Sequence, residues 1–134
     1  MNWKKTVVQN FHSWTSLKIN IEVNNNLNFH FREREIWWAS LGANIGYEQD
    51  GKNESFERPV LILKKFNRFV LWILPLTSTT KENKYYFKAT YKGKEYSIIL
   101  SQMRLISSKR LLRLIRLLPK SEFEEVRNRI KGFL

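Results

Sequence analysis

Arg58-Pro59-Val60-Leu61-Ile62-Leu63 is an unbroken apolar run behind one arginine and one proline. A run this short and this aliphatic reads as a central strand buried on both faces. Proline fixes its own φ and biases the residue before it towards an extended backbone, so Arg58 is aimed from a firm base. Downstream, Asn67-Arg68 marks a turn, residues 69–74 run back, and Pro75-Leu76-Thr77-Ser78 closes that return strand. Upstream, residues 44–57 form a long polar loop with Gly46 and Gly51, preceded by a strand over 35–41. Residues 77–83 are a second polar loop. Residues 85–91 and 95–100 then make a hairpin about Lys92-Gly93. Several short strands on tight turns in so few residues predict a small closed β-barrel.

Helices flank this β segment. Val7, Phe11, Trp14, Leu17 and Ile21 recur at spacings of three and four, which predicts a helix over residues 3–22. Asn24-Asn25-Asn26 ends it, and residues 27–34 read as a linker. After Arg104, Ser107 or Ser108 can cap a helix running to residue 117, with Leu111, Leu114, Ile115 and Leu118 on its buried side. Pro119 interrupts. A last helix places Phe123, Val126, Ile130 and Phe133 on one face, with glutamates at its start and Arg127, Arg129 and Lys131 near its end, as the helix dipole prefers. The expected class is mainly β with helices (α+β). An N-terminal helical extension occupies residues 1–33, and a barrel with C-terminal helices occupies residues 34–134.

Composition narrows the chemistry. A length of 134 residues suits one domain with a real core. The absence of cysteine excludes disulfides and fits a reducing compartment. His12 and His30 show no zinc-ligand spacing, so the chemistry is expected to need no metal and no cofactor. The first residues, Met1-Asn2-Trp3-Lys4-Lys5, lack the apolar core of a leader, and residues 69–76 are too few to span a bilayer. A cytoplasmic protein with no membrane partner is expected. The chain carries 24 Lys and Arg against 12 Asp and Glu, a net charge of +12. Such an excess favours polyanions. Nucleic acid is the leading partner class, and an acidic protein is compatible with it.

The polar clusters sit where apolar runs end, and loops on a rigid scaffold commonly carry function. Arg58 matches a phosphate with paired donors, or makes a structural ion pair with Glu48 or Glu57. Thr77 and Ser78 can hold a non-bridging phosphate oxygen, or form an ordinary turn. The loop around Gly46, Glu48, Gln49, Gly51 and Lys52 lacks both phosphate-cradling nucleotide fingerprints, which leaves ATPase chemistry unsupported. It can line a groove for a single strand or remain a solvated loop. Trp37 and Trp38 must point to opposite faces of a strand, one into the core and the other towards a base or a dimer interface. Arg110, Arg113 and Arg116 form a basic row, read as a solvated face or an RNA rim.

Five of these clusters, in this order, resemble the MazF/PemK (Kid) family of toxin–antitoxin ribonucleases. Arg34-Glu35-Ile36-Trp37 stands at its opening strand. Gly46, Glu48, Gln49 and Gly51 match its loop, and residues 58–63 its Arg-Pro-Val strand. Pro75-Leu76-Thr77-Ser78 matches its Pro-Leu-Thr-Ser, and Gln102-Met103-Arg104-Leu105-Ile106-Ser107 its Gln-x-Arg segment. The chain departs from the pattern in four places. Arg34-Glu35 replaces Gly-Asp, residues 53–56 are extra, Leu105 and Ser107 replace Thr and Asp, and Ser101 stands where several members carry an acid.

The resemblance implies an SH3-like, PemK/CcdB-like barrel and a homodimer. It implies cleavage of single-stranded RNA, messenger or ribosomal, at a short sequence. It further implies an acidic antitoxin protein that occupies the RNA groove, and operator DNA bound only together with that antitoxin. Arg58 and Thr77 fall on the family's catalytic pair. Ser78, Gln49, Gln102, Lys52 and Lys81 are the expected substrate contacts. Ser101 leaves the general base unassigned, with Glu48 and Glu57 as the candidates nearest in sequence. Two rivals share the fold: a non-catalytic basic nucleic-acid module, and a CcdB-like toxin acting on a protein.

Overall fold

The computed structural model describes residues 2–24 and 30–134. Helix α1 covers Trp3–Asn24. Strands follow at β1 (Glu35–Ser40), β2 (Glu57–Lys65), β3 (Val70–Thr77), β4 (Tyr86–Tyr91), β5 (Lys94–Ile99), β6 (Arg104–Ser107) and β7 (Leu111–Leu117), and helix α2 spans Lys120–Gly132. The strands form one antiparallel sheet in the order β4-β5-β3-β2-β1-β7, with β6 also pairing β3. The sheet curls into a half-barrel. Its end strands β4 and β7 do not pair with each other, but β6 on β3 and β7 on β1, joined by one short turn, give the small curled barrel expected from the sequence.

Alternation along the central strands explains the two-layered core. Val60 and Ile62 join Trp37, Ala39, Leu71, Ile73, Ile106 and Leu111 on one face. Leu61 and Leu63 join Ile36, Leu74, Leu76, Phe87 and Ile98 on the other. That is why β2 reads as continuous apolar sequence: both of its faces are buried. Phe123 and Val126 of α2 pack on the second face, across the opening of the half-barrel. Burying such side chains contributes about 1.5–3 kcal/mol each. Of the paired tryptophans, Trp37 is buried, whereas Trp38 is partly exposed and lines a cavity.

The region after Arg104 corrects the sequence reading. Residues 111–117 are a strand beside β1, not a helix. Ser107 caps only a single 3-10 turn over Ser108–Arg110, accepting from the Lys109 amide. Leu111 and Leu118 are buried as expected, but Leu114 is exposed. The expected linker also holds a fully buried residue, Phe31, in the first core face; residues 25–29 of that stretch lie outside the described residues. The α1 stripe is largely uncovered, since Val7 and Phe11 remain exposed and only Trp14 is buried. Among the described residues, no helix is long and apolar enough to cross a membrane.

Arg34 occupies the left-handed region at φ 78°. A side chain there costs roughly 1–2 kcal/mol. Hydrogen bonds offset the strain. The Arg34 amide donates to Ile62 O at 3.0 Å, its Nε donates to Leu118 O at 3.1 Å, and its own carbonyl accepts from the Leu118 amide at 2.8 Å. Arginine at a glycine-type position thus ties the entry of β1 to the end of β7.

Candidate active site

The strand register places the leading residues in one transverse row. Val60 pairs with Pro75, so Arg58 and Thr77, two residues further along each antiparallel strand, stand across from each other at the end of the pair. Ala39 of β1 pairs with Arg58. Thr77 pairs with Ser97 of β5, and Ser97 with Lys88 of β4. Directly opposed residues share a face. The row therefore runs Arg58, Thr77, Ser97, Lys88 across four strands. Ser97 Oγ is fully buried and, among the described residues, has no hydrogen-bond partner.

Arg58 is held by carbonyls rather than by an acid. Its Nε donates to Asp50 O at 2.6 Å and its Nη1 to Leu76 O at 2.9 Å. These bonds tie the loop 41–57 to the end of β3 and fix the plane of the guanidinium. Among the described residues Nη2 has no partner, which leaves it for an incoming anion. Partial burial lowers the Arg58 pKa, and the nearby negative charge of Asp50 pulls it back up. The group stays cationic at neutral pH.

A cavity of about 470 Å³ opens beside this row. Arg58, Thr77, Ser78, Lys52 and Glu57 all line it, together with Ile36, Trp38, Leu76, Tyr91, Tyr96 and Arg116. Its wall is mostly apolar and aromatic, with cations at intervals. Arg116 stacks 4.3 Å from the centroid of Tyr91 and also donates to the Tyr96 hydroxyl. Arg113 lies 5.0 Å over Trp38 and grips both carboxylate oxygens of Glu57 at 3.1 Å. Glu57 is thus committed to Arg113, and Glu48 accepts from the Ile45 amide at 2.9 Å. Neither is the ion-pair partner of Arg58 that the sequence offered.

The remaining expected contacts lie elsewhere. Glu48, Gln49, Ser101 and Gln102 line a second cavity of about 570 Å³, with Asn44, Tyr47, Pro75, Met103 and Arg104. Gln102 pins backbone: its Oε1 accepts from the Gln49 amide at 2.9 Å, and its Nε2 donates to Tyr47 O at 2.9 Å. Gln49 and Asp50 are consecutive, so the loop strand held by Gln102 on one side holds Arg58 on the other. Lys81 lines neither cavity; its Nζ sits 5.5 Å from the Tyr86 ring. Among the described residues, no group of three or more His, Asp or Glu is placed to hold a metal ion.

Sequence reasoning named Trp38, and Arg104 within the Gln-x-Arg segment, but missed Tyr91, Tyr96 and Ser97 as site neighbours. Arg104 was visible at the end of the last apolar run. The two tyrosines and Ser97 follow only from the strand pairing, which brings a distant hairpin beside β3.

A curled antiparallel sheet with a helix across its opening is the fold of several solved toxins. MazF (Form-I) from Deinococcus radiodurans superposes with a TM-score of 0.62 at 17% identity, covering 78% of this chain and 96% of that one. Mycobacterium tuberculosis toxin MazF-mt6 gives 0.57 at 19% identity, over 74% and 94%. A mycobacterial endoribonuclease in complex with its cognate antitoxin gives 0.57 at 10% identity, over 77% and 93%. No curated protein sequence matches the chain. The sequence profile of the PemK-like, MazF-like toxins of type II toxin–antitoxin systems matches residues 32–134, and the chain belongs to that family.

Proposed function

We propose that the protein is an endoribonuclease toxin that cuts single-stranded RNA without a metal ion and is neutralised by an acidic antitoxin. The observation that carries this reading is the Arg58–Thr77 pair, opposed across the ends of β2 and β3 at the mouth of a cationic, aromatic cavity. Family membership supports it. So do the solved relatives described as an endoribonuclease with its cognate antitoxin and as MazE-MazF.

The chemistry follows from what RNA can do by itself. Its 2′-OH attacks the adjacent phosphorus, the P–O5′ bond breaks, and a 2′,3′-cyclic phosphate and a 5′-OH result. Arg58, already oriented, stabilises charge on the phosphoryl oxygens as it develops. Thr77 and Ser78 position the phosphate. Proton removal from the 2′-OH falls to a carboxylate. Glu57 shares the cavity, but both of its carboxylate oxygens are engaged by Arg113; Glu48 lines the neighbouring cavity, where it faces the charge of Arg104. The aromatic wall suits bases, since every base offers a face for stacking. In this reading the protein works in the cytoplasm as a homodimer, and Trp38 and the open cavity contribute to a shared groove.

The test is incubation of single-stranded and duplex RNA with the protein in EDTA, followed by typing of the new ends. Cyclic phosphate and 5′-OH ends on the single strand are expected. Strict dependence on a divalent ion, or 5′-phosphate ends, would overturn the reading. RNA binding with no cleavage would instead favour a phosphate clamp, the rival supported by Ser101 and by the commitment of Glu57 to Arg113.

A further inference from the structure

Helix α1 lies outside the matched family region, yet it reaches the loop that holds Arg58. Its one buried side chain among the described residues is Trp14. The indole rests directly on Gly42, which has φ +85°; a Cβ at that position would come within 2.1 Å of Trp14 Cε2. On one side Trp14 packs against Phe56, ring centroids 5.6 Å apart. On the other, the Arg110 guanidinium lies 5.4 Å over the indole and donates to Ser40 O at 3.2 Å. A second anchor secures the far end of the helix, where Lys109 Nζ donates to Glu22 O at 3.0 Å.

Gly42 and Phe56 are the two stems of the loop 41–57, and they are locked together. The Leu41 and Gly42 amides both donate to Phe56 O, at 2.9 and 3.2 Å. Gly51 is wedged between them. Its amide donates to Gly42 O at 2.8 Å, and a Cβ there would fall 1.4 Å from Phe56 O. The next residue back, Asp50, supplies the carbonyl that Arg58 Nε holds. Contact is continuous from Trp14 through Gly42 and Phe56 to Gly51, Asp50 and Arg58. Phe56 belongs to the extra residues 53–56 of this chain. The helix, which lies outside the matched family region, thus meets Phe56 of the 53–56 stretch.

We infer that α1 is a built-in brace for the Arg58 loop, with Trp14 as a positioning residue that acts through Gly42, Phe56 and Gly51. An enzyme that relies on preorganised donors gains when the supporting loop is clamped. For its catalytic consequence this inference rests on the ribonuclease reading.

The experiment compares wild-type protein with Trp14→Ala, Trp14→Phe and Val8→Ser, the last on an exposed position of α1. Amide hydrogen exchange is read together with RNA cleavage. In Trp14→Ala the Gly42 and Gly51 amides are expected to exchange at least ~10-fold faster, while Leu61 and Ile62 in β2 stay protected. The kcat should fall by ~10-fold or more with a smaller change in KM. Trp14→Phe, which still covers Gly42, should recover most of both, and Val8→Ser should match wild type. Unchanged exchange at Gly42 and Gly51, or equal acceleration throughout the sheet, overturns the brace. If wild-type protein cuts no RNA but Trp14→Ala frees the loop amides alone, the ribonuclease reading falls and the brace stands.

Discussion

The Arg58 guanidinium both organises the site and contributes to its charge, because it holds the carbonyls of Asp50 and Leu76 while lining the cavity. Arg58→Ala should cut turnover by ~10²–10³, the cost of losing one preorganised charge-stabilising donor. Arg58→Lys keeps the charge but loses the planar fork, and is expected to recover little. Steady-state cleavage beside a thermal melt checks this; full activity with an unchanged melt removes Arg58 from the chemistry. Burial lowers the Arg58 pKa, but a guanidinium stays protonated throughout the working range, so Arg58 contributes no stability change with pH near neutrality. A pH–rate profile must therefore report another group. Ser97 presents the opposite case. Its buried hydroxyl has no partner among the described residues, and an unsatisfied buried polar group costs ~1–3 kcal/mol. Ser97→Ala should raise unfolding stability by about 1 kcal/mol in a denaturant titration. A loss of stability would mean that the hydroxyl is paired in solution.

At the level of elements, β7 shows why one part of the fold was hidden. Its register with β1 slips twice: Ala39, Trp38, Trp37, Ile36 and Glu35 meet Leu111, Arg113, Leu114, Arg116 and Leu117. Each slip inserts a residue, so same-face positions recur every three residues instead of every two. Leu111, Leu114 and Leu117 fall on one face, and Arg113 and Arg116 on the other. A doubly bulged strand thus imitates the spacing of a helix, and its leucine stripe was read as one. β2 had no such disguise, because continuous apolar sequence bounded by Arg58-Pro59 permits little else. Arg58 and Thr77 were legible because both end apolar runs. Their separation from Gln49 and Gln102 into two cavities was not, because it depends on how the loop 41–57 folds back. The β4–β5 turn was legible from Lys92-Gly93, and it carries a testable cost. Lys92 sits at φ 50° and Gly93 at φ 77°, the two-residue turn that favours Asn-Gly. Lys92→Asn should stabilise the protein by about 0.5 kcal/mol, since asparagine tolerates the left-handed region better than lysine. The denaturant midpoint should rise with an unchanged slope.

Across the whole molecule, the net charge of +12 and the open, aromatic cavity make one demand. Under the proposed function a polyanion answers both, and two kinds are the candidates: RNA, and the acidic segment of an antitoxin. Lys52, Arg58, Lys94 and Arg116 all line the cavity, so either ligand would engage the same cations. Each phosphate neutralised on a single strand contributes about −0.7 to the slope of log affinity against log salt, so four contacts predict a slope near −3. Arg58→Ala protein, which should bind without cutting, keeps three of these cations, so its slope should be about −2. With an acidic partner present, RNA affinity should fall in proportion to partner concentration, as mass action requires for one shared site. The partner should also raise the melting temperature, because it binds only the folded chain. If partner and RNA bind together without weakening one another, the basic surface is divided between separate sites, and the cavity beside Arg58 belongs to only one of them.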